Sequence, residues 1–279
     1  MAEKPLGLVA GGGALPLRIA EAVQRKGGEV FVVGLENEAD KRIETFNHDW
    51  TGLGKIGGAA DKLLAAGCED VVIIGGIQRP NLAELEFDEG GQWFMQEVAS
   101  GKHAGDDQLL KIILAYFDMR GLRVQPAQHY LSDLTGRAGA QTSHDHASFM
   151  DDITRGIEVA SVIGGEDIGQ SIVISQGLVL AVEGPEGTDN MLARVGGMAD
   201  EFLGQANELK GVMVKLPKPQ QDRRVDLPTL GLRTVEGAAA AYLAGIVYEA
   251  GGALFDDFEA VIALAEEKGL FLLGLENNV

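Results

Sequence analysis

The sequence has little of what would place a protein outside a reducing compartment or across a bilayer. Cys68 is the only cysteine of the 279 residues, so an intramolecular disulfide is excluded, and no signal-peptide pattern is present. No apolar run approaches the roughly 20 residues that span a bilayer, and the richest one, 237–247, begins just after Glu236. We therefore expect a cytoplasmic protein without a transmembrane segment.

Positive charge is also scarce. The chain has 23 Lys and Arg against 42 Asp and Glu, which gives a formal net charge of −19. This balance argues against nucleic-acid binding, because polyphosphate backbones attract clustered cations. An anionic ligand would instead have to bind at a local concentration of Lys and Arg.

The first half of the chain predicts a Rossmann-like domain. The whole chain of 279 residues is long enough for two domains, each with its own core. In the first half, short apolar runs alternate with amphipathic stretches, which is typical of a parallel sheet covered by helices. The predicted strands are 6–10, 29–35, 71–76 and 122–127, and the predicted helices are 15–27 and 106–121.

The second half predicts a separate α/β domain. A polar, Gly-containing stretch at 128–142 marks the boundary, which we place so that the domains are 1–132 and 133–279. The predicted elements are a helix at 153–163, a hairpin at 171–183 that turns at Gln176-Gly177, a helix at 186–203 capped by Thr188 or Asp189, a strand at 211–217, helices at 235–251 and 255–269, and a strand at 270–275.

A glycine-rich turn, GGGALP at 11–16, follows the first strand and opens a helix. Backbone N–H groups at such a position attract anions, and Gly12 and Gly13 would let a phosphate approach. Gly76, Gln78 and Arg79 follow the third strand, at the same predicted sheet edge. The match to G-x-G-x-x-G is only partial, because Pro16 replaces the third glycine. A tight turn without ligand, a phosphate or sugar contact and a dinucleotide site all remain open, and the last would indicate an NAD(P)-dependent oxidoreductase.

The most informative stretch is residues 210–233, here called the basic segment. It concentrates six of the chain's cations around only two acids, Asp222 and Asp226. The cations are Lys210, Lys215, Lys218, Arg223, Arg224 and Arg233. Arg and Lys suit phosphate oxygens, and carboxylates among guanidinium groups stay ionised, where they can hold Mg²⁺ or position water. A solvated loop with surface ion pairs is the simpler interpretation, and a non-catalytic nucleotide-sugar-binding protein is a further alternative.

Two other acidic stretches are ambiguous. Thr188 and Asp189 in EGTDNM suit a helix N-cap, and Glu186 or Asp189 is a further candidate for a metal or hydroxyl contact. His144 and His146 in SHDHASFMDD have metal-ligand spacing, but we favour the acid-rich start of a helix there. No Walker loop and no G-x-S-x-G motif occurs.

Several stretches together resemble one family over nearly the whole chain. They are GLVAGGGALP, GDDQLL, AVEGPEGTDNML, KLPKPQQDRRVDLPTLGLRT and EAGGAL, in this order. They are similar to the UDP-2,3-diacylglucosamine pyrophosphatases of lipid A biosynthesis, in the branch unrelated to calcineurin-like metallophosphoesterases. The resemblance implies two domains with the active site between them, and Mg²⁺-dependent hydrolysis of UDP-2,3-diacylglucosamine to UMP and 2,3-diacylglucosamine 1-phosphate (lipid X).

The resemblance also assigns residues. Asp226, the acid of DLPTLG, would be the catalytic acid, and its neighbour Asp222 would help to hold the diphosphate and the metal. We take Asp222 as a second catalytic carboxylate, and Asp226, Asp222 and, from its own motif, Glu186 as candidate metal ligands. The implied substrate contacts are Gly12, Gly13, Gly76, Gln78, Thr188, Lys215, Gln221, Arg224 and Thr234, and the residue pattern itself adds Arg79 after the third strand and Arg223 in the basic segment. An acylated substrate makes peripheral contact with the inner membrane plausible, and small-residue helices are compatible with a homodimer.

Overall fold

The computed structural model describes residues 4–78, 81, 84–100, 106–131, 134–198 and 208–276. The chain divides into two compact units. The first comprises Met1–Ser132 with Asp222–Asp226, and the second comprises Asp133–Gln221 with Leu227–Val279. The predicted boundary between residues 132 and 133 falls on two residues outside the described set. A five-residue piece of the basic segment thus packs with the first unit, although its neighbours along the chain belong to the second.

The first unit is built on a parallel five-stranded sheet in the order β3-β2-β1-β4-β5. This is the strand order of a Rossmann-like fold, as predicted. The strands are β1 (Leu6–Ala10), β2 (Val30–Leu35), β3 (Asn47–Thr51), β4 (Asp70–Ile74) and β5 (Arg123–Val124). The helices are α1 (Leu15–Arg25), α2 (Ile56–Ala65), α3 (Glu89–Ser100) and α4 (Asp106–Met119).

The apolar pattern explains the central strands of this sheet. β1 is buried along its whole length, because β2 and β4 flank it and helices cover both faces. α2, α3 and α4 share one core with the sheet, while α1 packs against β1 and β2. Three elements escape the sequence analysis: β3, α2 and α3. β3 reads NHDWT, an edge strand too polar to show an apolar strand pattern.

The second unit contains a six-stranded mixed sheet in the order β6-β13-β11-β9-β7-β8, and β10 and β12 form a separate parallel pair. The strands are β6 (Gly139–Ala140), β7 (Ser171–Ser175), β8 (Leu178–Val182), β9 (Val212–Lys215), β10 (Thr229–Leu230), β11 (Gly245–Glu249), β12 (Leu254–Phe255) and β13 (Phe271–Leu275). The helices are α5 (Met150–Gly165), α6 (Gly187–Gly196), α7 (Leu232–Ala240) and α8 (Phe258–Lys268).

Two cores hold this second sheet. α6, α7 and α8 pack on one face and α5 on the other. β9, β11 and β13 run parallel, so their carboxyl ends meet at one edge. The predicted hairpin is confirmed, since β7 and β8 are antiparallel and Gln176 and Gly177 have φ values of 51° and 80° in the turn. The α/β class of both halves is therefore as predicted.

One predicted helix is wrong in its second half. The stretch 235–251 was expected to be a single helix, but α7 ends at Ala240 and β11 follows. The reason is tertiary, because β11 lies between β9 and β13 and all five of its residues are buried. Gly245 is needed there, since a Cβ atom would lie 2.3 Å from the Phe271 ring. The Ala-rich part of the stretch is helical as predicted, whereas Gly245 serves close packing in a central strand.

Candidate active site

A buried lysine ends the central strand β9. Lys215 follows the apolar run Val-Met-Val, pairs in register with Tyr248 on β11, and its side chain leaves the sheet at the carboxyl edge. Only 4% of the residue is exposed. Its Nζ donates a hydrogen bond of 2.7 Å to the Thr188 hydroxyl in the first turn of α6. A lysine is almost never buried without a compensating partner, so this position is built for an ammonium group.

The contact continues to a buried carboxylate. The Thr188 hydroxyl donates to Oε1 of Glu183 over 2.7 Å, and Glu183 directly follows β8 with 7% of its surface exposed. Thr188 is therefore not the N-cap of α6 that the sequence predicted, and Asp189 is not either. Both residues lie inside the first turn, and the cap position is Glu186, whose side chain makes no capping bond.

A cavity of about 310 Å³ opens at this point. It lies where α6 and α7 begin, and helix N-termini favour anions through their free N–H groups and their dipoles. The cavity brings together three predicted substrate contacts, Thr188, Lys215 and Thr234. The other lining residues are Glu186, Gly187, Asp189, Asn190, Thr229 and Arg233.

The charges around this cavity are balanced. Burial lowers the pKa of Lys215, while the nearby carboxylates of Glu183 and Asp189 act in the opposite direction. Asp189 also forms a 2.7 Å ion pair with Arg233 at the start of α7. The Arg233 side chain is 82% exposed, so its ion pair with Asp189 is weak. An incoming anion can therefore replace Asp189 as the partner of Arg233 with little loss of free energy.

The two acids of the basic segment belong to the first unit. Residues 222–226 form one tight turn, in which the N–H groups of Val225 and Asp226 both donate to the carbonyl of Asp222. The Asp222 carboxylate accepts from the backbone and the guanidinium of Arg224, at 2.8–3.2 Å. These bonds and the charge of Arg224 hold the pKa of Asp222 below its usual range. Asp222 thus anchors the turn and stays ionised.

This turn is seated on the first unit through Val225, which packs against the apolar core there. Asp226 is half-buried at the end of the turn, and Arg223 is exposed. Gln221 precedes the turn and is buried, with its Oε1 accepting from the N–H of Lys218 over 2.9 Å. The Gln221 side chain therefore braces the loop backbone.

The basic segment is not a single positive island. Its members divide between the two units, and ion pairs with carboxylates neutralise several of them. The pairs are Lys210–Glu208 at 3.5 Å, Lys218–Asp167 at 2.5 Å, Arg224–Asp222 at 2.8 Å and Arg233–Asp189 at 2.7 Å. The interpretation of surface ion pairs therefore accounts for part of the segment, and Lys215 is the cation that burial sets apart.

The glycine turns of the first unit bind each other. Gly12 and Gly76 exchange two backbone hydrogen bonds of 2.7 and 3.0 Å, and the Gly11 N–H donates to Ile74. Gly75 has a φ of 110°, and a Cβ atom there would lie 2.6 Å from the carbonyl carbon of Gly11. The N–H groups of Gly11 and Gly12 are thus engaged within the protein, which weakens the expectation that they bind phosphate.

The remaining predicted contacts of this edge are dispersed. Gly13 and Gln78 are exposed, and the Gln78 N–H faces the Glu38 carboxylate at 3.3 Å. Arg79 lies outside the described residues.

The predicted metal ligands do not form a three-residue cluster. Within the described part of the chain, no group of three or more His, Cys, Asp or Glu side chains is arranged to hold a metal. Glu186 is instead paired with Arg194 at 3.0 Å. Asp222 and Asp226 remain as two carboxylates in one turn, which fits Mg²⁺, because this ion is commonly held by one or two carboxylates together with substrate phosphates.

Sequence reasoning gave no role to Glu183, which contacts Thr188, and weak roles to two charged residues that line the cavity. Glu183 was part of the strand prediction only, and the signal it carried was a carboxylate that directly follows an apolar strand. Asp189 was predicted as a helix cap or as a metal or hydroxyl contact, and Arg233 was one cation of six in the basic segment. Over the described residues, no helix is both long and apolar enough to cross a membrane.

Comparison with known proteins agrees with these two halves. Residues 5–134 match the LpxI N-terminal domain, and residues 137–273 match the LpxI C-terminal domain. The chain is 40% identical to the UDP-2,3-diacylglucosamine pyrophosphatase LpxI of Caulobacter vibrioides over 277 residues, which cover 98% of each chain. The chain belongs to the LpxI family.

Proposed function

We propose that this protein hydrolyses the diphosphate of UDP-2,3-diacylglucosamine to UMP and 2,3-diacylglucosamine 1-phosphate, with Mg²⁺, in lipid A biosynthesis. The observation that carries the proposal is the full-length similarity to a relative named for this pyrophosphatase activity. The lysine cavity supports it, since a buried ammonium at two helix N-termini suits a phosphate group.

The second unit supplies groups that bind the diphosphate. Lys215 presents a positive charge from a buried position, where its attraction to phosphate is stronger than at an exposed position. Thr188 and Thr234 line the same cavity and offer hydroxyl groups. Arg233 adds a second cation at the rim.

The turn 222–226 supplies the carboxylates. Asp226 is the proposed catalytic aspartate. Its carboxylate orients the water and, as a general base, accepts a proton from it as the water attacks phosphorus. Asp222 keeps the turn in shape through Arg224. A bound Mg²⁺, held by Asp226 and Asp222 with phosphate oxygens, would neutralise charge on the diphosphate.

The proposed reaction balances as a hydrolysis. The water oxygen bonds to the phosphorus on the sugar side, the P–O–P bridge breaks, and UMP leaves with the bridging oxygen. The test is to run the reaction in H₂¹⁸O with Mg²⁺ and to weigh both products by mass spectrometry. We expect ¹⁸O in the sugar 1-phosphate and not in UMP.

Absence of UMP release from the purified protein at saturating substrate would overturn the proposal. That outcome would favour the alternative of a non-catalytic nucleotide-sugar-binding protein. An ¹⁸O label in UMP would instead keep the activity and reverse the direction of attack. The NAD(P)-dependent alternative depended on the glycine turn, and the bonds between Gly12 and Gly76 give it no support. Homodimer formation and contact with the inner membrane stay predictions.

A further inference from the structure

The direction of the hydrogen bonds beneath the cavity is fixed by chemistry. A lysine ammonium has only donors, so Nζ of Lys215 must donate to the Thr188 oxygen. The single hydroxyl proton of Thr188 is then directed to Glu183. Glu183 therefore decides which way the hydroxyl points, and the hydroxyl decides where one of the three Lys215 protons goes.

Burial of the Glu183 carboxylate costs the fold stability. Among the described residues its Oε2 is buried without a hydrogen-bond partner, and the same holds for the hydroxyl of Ser171. These two residues and Lys215 are neighbours across the sheet, because Ser171 pairs in register with Lys215 and its carbonyl accepts from the Glu183 N–H. A buried carboxylate with one unpaired oxygen is costly, and apolar side chains in place of both Glu183 and Lys215 would serve stability as well as the charged pair does. Stability therefore explains Glu183 only as the partner of Lys215, and not why the fold keeps the two charges.

We propose that Glu183 is a positioning residue for Lys215. Its carboxylate accepts a hydrogen bond from the Thr188 hydroxyl, so the Thr188 oxygen is free to accept a hydrogen bond from Nζ of Lys215. The other two N–H groups of Lys215 are then directed to a diphosphate in the cavity. This inference rests on the proposed function for the identity of the anion, but not on hydrolysis. Glu183 does not itself contact the ligand in this arrangement, and its effect passes through the hydroxyl of Thr188.

The test measures binding without turnover. The probe is methylenediphosphonate, whose P–C–P bridge cannot be hydrolysed, and its affinity is measured calorimetrically with Mg²⁺ for the full-length protein. The variants are Glu183→Leu, which removes the acceptor at similar volume, Thr188→Val, which removes the hydroxyl, and the double variant. We expect each single variant to weaken binding about 10- to 100-fold, as for lost charge-assisted hydrogen bonds.

Coupling between the two residues is the decisive result. If Glu183 acts through Thr188, the double variant loses clearly less affinity than the product of the two single losses. Glu183→Gln is the second variant, because its amide oxygen still accepts from the hydroxyl, and it should bind more tightly than Glu183→Leu. Glu259→Ala is the control, since it removes an exposed carboxylate of the same unit that pairs with Arg137, and it should bind like the wild type.

Multiplicative losses in the double variant would overturn the proposal, and so would equal binding by Glu183→Gln and Glu183→Leu. Failure of the wild type to bind the probe would overturn it as well. UMP release is measured separately on the same preparations. Wild-type binding with coupled losses and no UMP release would leave this inference standing and remove the proposed hydrolase activity.

Discussion

The two units place different chemistry at the same position of a sheet. In both, loops leave the carboxyl ends of parallel strands, where α/β folds bind ligands. In the first unit the loops after β1 and β4 are glycines that hydrogen-bond to each other. In the second unit β9 ends in a buried lysine that contacts a threonine and, through it, a glutamate. Topology therefore marks both edges as candidate sites, but side-chain chemistry favours the second as the anion site.

The largest expected effect concerns the turn 222–226, which the first unit gains from the second half of the chain. Asp226→Ala should lower kcat for UMP release by about 1,000-fold or more, because the reaction would lose the carboxylate that is proposed to orient water. Asp226→Asn, which keeps the shape, should lose nearly as much. Circular dichroism and thermal melting should show a folded protein, and near-normal turnover in either variant would remove Asp226 from the mechanism.

Lys215→Met tests the lysine site of the second unit. It should lower kcat/KM about 100-fold, as expected when a buried charge that binds phosphate is lost. Lys210→Met is the matched control, because the only ion pair of Lys210 with a described residue is the one with the exposed Glu208 at 3.5 Å, and its kcat/KM should stay within about twofold. Equal losses in both variants would mean that the effect is general charge and not the cavity.

The lowered pKa of Lys215 also gives a pH dependence of stability. Between that lowered value and about 10.4, the usual lysine value, the unfolded chain binds more protons than the folded one at this site. The free energy of unfolding of the wild type should therefore rise with pH relative to Lys215→Met in this window. Urea denaturation of both proteins at several alkaline pH values measures the difference, and a difference that falls with pH would contradict the burial of the ammonium.

Gly75→Ala examines the glycine turns. The φ of 110° and the 2.6 Å approach to Gly11 should make this change cost about 2–4 kcal/mol in the free energy of unfolding. Gly76→Ala is the control for stability, since nothing lies within 4 Å of its Cβ position. If Gly76→Ala is stable but raises KM strongly, the glycine turns of the first unit also contact substrate. Anion binding would then not be confined to the lysine cavity of the second unit.

The smallest effect is expected for Arg224→Gln. It should lower the free energy of unfolding by about 0.5–1 kcal/mol near neutral pH, because Arg224 is 38% exposed and solvent screens its pair with Asp222. Because folding lowers the pKa of Asp222, the ionised carboxylate stabilises the protein at pH values above the usual aspartate pKa. This stabilisation is lost as the pH falls through the lowered pKa of the folded protein. The difference between variant and wild type should therefore shrink below about pH 4. A constant difference down to pH 2 would contradict the pair.

The sequence predicted the periodic elements well and the site only in part. Apolar runs such as Leu6–Ala10 and the hairpin turn at Gln176 have local signals, so they could be identified directly. β11 also carried a local signal in Ile246, Val247 and Tyr248, but the Ala-rich stretch that precedes it led to a single helix prediction across both elements. The partnership of Lys215 with Glu183 is nonlocal, since the two residues lie 32 positions apart along the chain (215 − 183). A cluster of like charges was visible, but which cation is buried was not.

The membership of residues 222–226 in the first unit limits how this protein can be taken apart. A fragment that ends at residue 132 would retain all five strands of the Rossmann-like sheet yet lack Asp222–Asp226. The chain passes between the units three times, so neither half can be exchanged as an independent cassette by a single genetic crossover. Chimaeras between relatives should therefore keep the DRRVD pentapeptide from the same parent as the N-terminal half.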